Sequence, residues 1–177
     1  PAGQLTLIAE TVAEEVAFGP ANLGLPRDQI DERVGAALRM TGIEDLAERD
    51  PARLSGGEQQ LVVVAGLLAM RPRHLVLDEP LAHLDASAAL RVRDAIHAAA
   101  DAGAAVLVAE QRTAELAEVA DVLLVMAAGN IVTRGTPREV LSDPATASLG
   151  VAEPADVALR HSLAEAGLDP ALAALPS

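Results

Sequence analysis

The sequence predicts an α/β fold from three observations. Leu75 to Leu77 is an apolar run that ends on Asp78-Glu79-Pro80, as a buried parallel strand does on reaching the carboxyl edge of its sheet. Ala104 to Ala109 (AAVLVA) is a second buried-strand pattern, followed by Glu110-Gln111-Arg112. A helical segment, Asp85 to Gly103, lies between the two, so strand, helix and strand alternate as in a parallel sheet.

Each element has a local cause. Residues 11 to 53 read as a small helical subdomain, with helices over Thr11 to Ala17, Arg27 to Met40 and Ile43 to Arg49. Ile30, Val34, Ala37 and Leu38 recur at helical spacing, which marks a core face. Ser55-Gly56-Gly57 stands before the apolar run Leu61 to Met70, which Pro72 ends, so Ser55 reads as the N-cap of a helix. From Asp85 the next helix presents Leu90, Val92, Ile96 and its alanines inward, and it stops at Gly103. Thr113 to Ala120 follows as a short helix, Asp121 to Met126 as a strand, and Ala128-Gly129-Asn130 as a hairpin turn into Ile131-Val132-Thr133. Thr136 caps a helix that Pro137 opens and that runs through Leu141. Beyond Pro144 an Ala-rich helical tail is expected, broken at Pro154, Gly167, Pro170 and Pro176.

Two of these places carry chemistry. Glycines at 56 and 57 let backbone N–H groups approach a phosphate, the Ser55 hydroxyl adds a donor, and the positive end of a helix dipole favours an anion. Taken alone, the same residues are equally an ordinary Ser-capped helix. The Asp78-Glu79 pair is more specific. Asp78 is placed to hold Mg²⁺, through a coordinated water, because Mg²⁺ dehydrates reluctantly. Glu79 is placed to orient and deprotonate a water attacking a terminal phosphate. A helix from Glu58 to about Arg71 would span about 20 Å, a length read here as separating the phosphate contact from the strand end. The chain has no lysine, all 13 basic residues being arginine, so a GxxxxGK[ST] phosphate loop is absent from it.

LSGGEQQ (Leu54 to Gln60), LVLDEP (Leu75 to Pro80) and the AHLD turn ending at Asp85 together resemble the signature, Walker B strand and D-loop of ABC-type ATPases. The resemblance implies a P-loop NTPase-type core with a small helical subdomain and with its N-terminal portion, including the Walker A loop, missing. It implies ATP and Mg²⁺ as cofactors and head-to-tail pairing with a second ABC ATPase subunit or domain. Ser55, Gly56, Gly57 and Glu58 would then close over the partner's ATP, with Asp85 at the seam. TVAEEVAFGPANLGLP, LLAMRP, VLVAEQR, GNIVTRGTPREVL and SLGVAEP narrow the likeness to the ATPases of energy-coupling-factor transporters, importers of vitamins and of cobalt or nickel ions. Over about residues 1 to 165, that family implies an integral membrane partner docked on the helical subdomain, and a place on the cytoplasmic face of the membrane. The corresponding division is residues 1–10 as a remnant of the Q-loop region, with Pro1 and Gln4 as its landmarks, 11–53 as the helical subdomain, 54–142 as the second half of the core, and 143–177 as the tail.

Four residues depart from the family pattern. Gln111 stands at the switch position, where the family has histidine, and Leu61, Leu81 and Val122 replace an arginine, a threonine and an arginine. Glutamine can hydrogen-bond a phosphate oxygen but cannot carry imidazole's charge, so slowed hydrolysis and a degenerate half of an asymmetric pair are expected. The alternative is a non-catalytic module that only dimerises and docks. The chain alone is expected to be inactive for want of the Walker A lysine.

Composition bounds the partners. A hydrophobic content of 51% over 177 residues can bury a core, with one sheet face left underpacked in the missing portion's absence. A net charge of −13 argues against nucleic acid and against a DNA-repair ATPase. Acidic residues crowd the helical subdomain, either as a solvated surface or as a dock for basic segments of a membrane subunit. No apolar stretch reaches membrane-spanning length, no secretion signal opens the chain, and the absence of cysteine accords with a cytosolic setting. His74, His83, His97 and His161 lack metal-ligand spacing and read as structural, His83 lying in the D-loop near the expected dimer seam.

Overall fold

The computed structural model describes residues 8–82, 84–151, 158–159, 162–164 and 166–169. Pro1, Gln4, His83, His161, Pro154, Pro170 and Pro176 lie outside the described residues. The chain divides into two compact units, one up to Glu110 and one from Gln111.

In the first unit α1 (Val12–Asn22) starts at Thr11, whose hydroxyl and Glu14 form a reciprocal cap. It runs five residues past the expected stop at Ala17. Pro20 would normally break it, but the Pro20 ring is fully buried, and packing outweighs the lost backbone bond. α2 (Arg27–Thr41) fills the expected span within a residue and ends on Gly42, whose φ of 64° suits glycine. The helix expected over Ile43 to Arg49 is a single 3₁₀ turn, Glu44–Leu46, and a second such turn covers Pro51–Arg53. Buried Ile43 and Leu46 hold the first turn down. α3 (Gly56–Ala69) then packs on α1 and α2 through Leu61, Val62, Val64, Ala65 and Leu68. Arg33 Nη1 donates to the Met70 carbonyl at 3.3 Å, satisfying an acceptor at the end of α3.

β1 (His74–Asp78) pairs in parallel with β2 (Ala105–Ala109), Val76 opposite Leu107, across the helix α4 (Ala86–Asp101). α4 buries Ala88, Ala89, Val92, Ala95, Ile96 and Ala99. Leu90 is a correction: the buried stripe repeats at three and four residues, which leaves position 90 outside, 43% exposed. β1 is buried on one face only, and β2 alternates between exposed and half-buried residues. Leu75 and Leu77 point into the helical layer, whereas Val76 and Leu107 are 70% and 56% exposed. The readings of Leu75 to Leu77 and of Ala104 to Ala109 as buried strands are thereby corrected, and one face of the sheet is underpacked, as expected.

In the second unit α5 (Thr113–Ala117) is shorter than expected, and β3 (Leu123–Ala127) begins two residues after Asp121. β3 pairs antiparallel with β4 (Asn130–Gly135) through a two-residue turn, Ala128 and Gly129 both having positive φ (47° and 77°). Those angles match the right-handed twist of a hairpin. α6 (Pro137–Leu141) is capped by Thr136, as read, with Glu139 completing a reciprocal cap, and α7 (Pro144–Ser148) follows.

Candidate functional site

The signature turn is built by its own residues. Ser55 Oγ accepts from the Glu58 N–H at 3.3 Å, while Glu58 Oε2 accepts from the Ser55 N–H at 2.8 Å and from the Ser55 hydroxyl at 2.7 Å. These bonds hold the Glu58 carboxyl below the usual carboxylate range, the hydroxyl contributing most and the backbone N–H next, with smaller help from the charges of Arg49 and Arg91. The N–H groups of Gly56 and Gly57 head a 14-residue helix in the first turn, where no helical carbonyl precedes them. Ser55 and Gly56 are exposed, and the space where a Gly56 Cβ would stand is open. A phosphate oxygen fits there. A Cβ on Gly57 would come within 3.5 Å of Ala88 Cβ and 3.7 Å of Leu84 Cδ2, so this turn rests against the start of α4. Asp85 is at that start, as the N-cap of α4, its Oδ1 accepting from the Ala88 N–H at 2.8 Å.

The acidic turn is assembled from distant parts of the chain. Asp78 is the last residue of β1, and both it and Glu79 are exposed at the strand's carboxyl end. Glu79 has φ of 46°, a left-handed conformation costing a non-glycine residue about 1–2 kcal/mol. Its N–H donates to the Ala109 carbonyl at 2.8 Å, and its carbonyl accepts from the Ala82 N–H at 3.1 Å. Pro80 therefore sits at the second position of a four-residue turn, where its fixed φ is favoured. The Pro80 carbonyl accepts from Gln60 Nε2 at 3.4 Å, and the Leu81 N–H donates to Glu110 Oε2 at 3.1 Å. Pro80 and Leu81 are fully buried beneath the exposed acids.

Structure and sequence differ on how these parts are spaced. The length of α3 does not hold its N-terminal part away from the acidic turn. Gln60, in the second turn of α3, already reaches Pro80. Gln111 opens the second unit, exposed, its carbonyl accepting from the Thr113 N–H at 3.1 Å. Gln60 and Glu110 had no role assigned from sequence. No local pattern could have assigned one, since their partners lie 20 and 29 residues away. Leu61, in place of an arginine, has 0% exposure and belongs to the core. Among the described residues no group of three or more His, Cys, Asp or Glu side chains converges on a metal.

A sequence model of the family described as ABC transporter matches residues 3–82. An energy-coupling factor transporter ATP-binding protein, EcfA, of Methanocaldococcus jannaschii is 40% identical over 140 residues, 79% of this chain and 50% of that protein. This chain belongs to the ABC transporter ATPases. Within that family the likeness is to the energy-coupling-factor type. A cobalt import ATP-binding protein, CbiO, of Syntrophus aciditrophicus is 38% identical over 163 residues, 92% of this chain and 58% of that one. The solved CbiO1 of Clostridium perfringens, described as part of the ABC transporter complex cbiONQ, superposes with a TM-score of 0.70 at 32% identity, covering 82% of this chain and 58% of its own. A second solved ATP-binding cassette of an ABC transporter gives a TM-score of 0.71 at 25% identity, covering 85% of this chain and 66% of its own. The chain spans about half the length of the curated relatives it matches.

Proposed function

We propose that the protein binds and hydrolyses ATP to power import through a membrane transporter of the energy-coupling-factor type. The observation that carries this reading is the exposed Asp78-Glu79 pair at the carboxyl end of β1. In the active assembly Glu79 takes a proton from the water that attacks the terminal phosphate. Asp78 would hold Mg²⁺, which would supply neutralising charge on the phosphates. Gly56 and Gly57 donate their N–H groups to the ATP of a second ABC ATPase subunit, and the Ser55 hydroxyl, which donates to Glu58 in this structure, turns to that phosphate when the two subunits close. Glu58, an ionised acceptor bound to Ser55, orients that serine instead of donating itself. Asp85, holding the first turn of α4, shapes the seam between the two. ATP turnover by the full-length protein with its partner tests this reading. Glu79→Gln is expected to lower kcat by about 100-fold or more with ATP binding retained, and equal rates would count against it.

Gln111 in place of the switch histidine supports a finer reading, in which this protein is the slower half of an asymmetric pair and its signature completes the partner's site. Gln111→His is then expected to raise turnover, and an unchanged rate removes the idea. The exposed acids Asp28, Asp31, Glu32, Glu44, Asp45, Glu48 and Asp50 support docking of residues 11–53 on basic segments of an integral membrane subunit. No helix of the described residues is long and apolar enough to cross a membrane, and a peripheral place on the cytoplasmic face follows from that docking. A module that only pairs and docks would show no turnover in wild type or Gln111→His.

A further inference from the structure

We infer that Glu110 is a positioning residue for the general base, setting Glu79 in place by clamping the backbone of the turn that follows β1. The inference rests on the reading of Glu79 as the base. Glu79 has a left-handed φ of 46°, and a conformation of that kind persists only where the surroundings over-determine it. The turn from Glu79 to Ala82 has a backbone bond on each side of Glu79: its N–H to the Ala109 carbonyl at 2.8 Å and its carbonyl from the Ala82 N–H at 3.1 Å. Two side chains from other elements complete the frame. Gln60 Nε2 from α3 donates to the Pro80 carbonyl at 3.4 Å, and Glu110 Oε2 from the end of β2 accepts from the Leu81 N–H at 3.1 Å. Of the two, the contact to Glu110 is the shorter and has an ionised acceptor, which makes it the stronger.

The chemistry explains why such a clamp matters. A general base acts only within about 2.6–3.2 Å of the proton it takes, and a misplacement of about 1 Å can cost about 100-fold in rate. Releasing the Leu81 N–H frees the turn to relax out of its left-handed geometry, which swings the Glu79 side chain away from the attacking water. The proposed nucleotide contacts, Asp78 toward Mg²⁺ in this site and Ser55, Gly56 and Gly57 toward the partner's ATP, do not include this bond. Its loss therefore falls on kcat and spares the KM for ATP.

The test is steady-state ATP turnover by the full-length protein in complex with its partner, comparing Glu110→Ala, Glu110→Gln and Glu79→Gln with wild type. Glu110→Ala is expected to lower kcat about 10-fold with KM for ATP within about twofold. Glu110→Gln keeps an oxygen that accepts from Leu81 and is expected to restore kcat to within about threefold. If Glu110→Ala does not fold, Glu110→Asp, whose carboxylate is drawn back by one methylene, is expected to show the kcat loss in its place. A normal kcat in the alanine or aspartate variant, while Glu79→Gln abolishes turnover, overturns the role of Glu110 alone. A Glu110→Gln loss as deep as that of Glu79→Gln also overturns it, since charge rather than the clamp would then be what matters. Unaffected turnover in Glu79→Gln overturns the reading of the base, and this inference with it.

Discussion

The turn that starts α3 is closed by residues three apart in sequence, Ser55 and Glu58, through three mutual hydrogen bonds. The turn that follows β1 instead draws on Gln60 and Glu110, 20 and 29 positions away, and rests on two fully buried residues, Pro80 and Leu81. The first is a local device that any well-formed helix could carry. The second forms only once α3 and both strands have met. The helix end proposed to meet phosphate can thus be preformed, whereas the proposed base depends on the integrity of the surrounding unit.

The largest expected effect on this contrast comes from beneath the acidic turn. Leu81→Ala removes a side chain of 0% exposure and is expected to lower stability by about 3 kcal/mol, read as a shift in the urea midpoint of the full-length protein. It should reduce ATP turnover well before it touches the Ser55 cap. A loss under about 1 kcal/mol would show that the acidic turn is held as locally as the signature. Next in size, Ser55→Ala removes the cap of α3 and is expected to cost about 1 kcal/mol, with Ser55→Asn recovering most of it. Equal stability of wild type and the alanine variant would argue that tertiary contacts, not the cap, define where α3 starts.

The smallest effect is one of pH. Glu58 titrates below its ordinary range in the folded state because of Ser55. The stabilisation is therefore fully present above the unfolded-state value of about 4.3 and is lost as pH falls through the lowered folded value. The difference in urea midpoint between wild type and Glu58→Gln is expected to stay constant from pH 7 to about 5 and to shrink on further acidification. A difference that persists unchanged to about pH 3 would sink this account of the cap.

Much of the architecture was legible because its causes are local. Thr136 with Pro137, Ala128 with Gly129 before Asn130, and Ser55 before two glycines each fix φ or satisfy an orphan donor within four residues, and each element appears where expected. Errors arose where distant packing decided. Pro20 lies inside α1 because its ring is buried, and Ile43 to Arg49 folds as one 3₁₀ turn anchored by Ile43 and Leu46. Leu90 is apolar yet lies outside the stripe that α4 buries. β2 has the composition of a buried strand, but one of its faces has no covering layer in this chain. Within the candidate site, Ser55, Gly56, Gly57, Asp78, Glu79 and Asp85 are proposed from motif spacing, which is legible in the sequence, and the structure places them at the start of α3, the end of β1 and the start of α4.

By itself the sequence determined the family, the two motif-bearing turns and the caps of the helices, because those depend on residue type at short separations. Only the tertiary structure decided that Glu79 takes a left-handed conformation, that Gln60 and Glu110 bond to its turn, and that β1 buries one face while β2 is at most half-buried. The physical reason is range. A capping bond is chosen among residues that are always neighbours, whereas a bond across 29 residues exists only after the hydrophobic layer of α3, α4 and the strands has brought its two ends together.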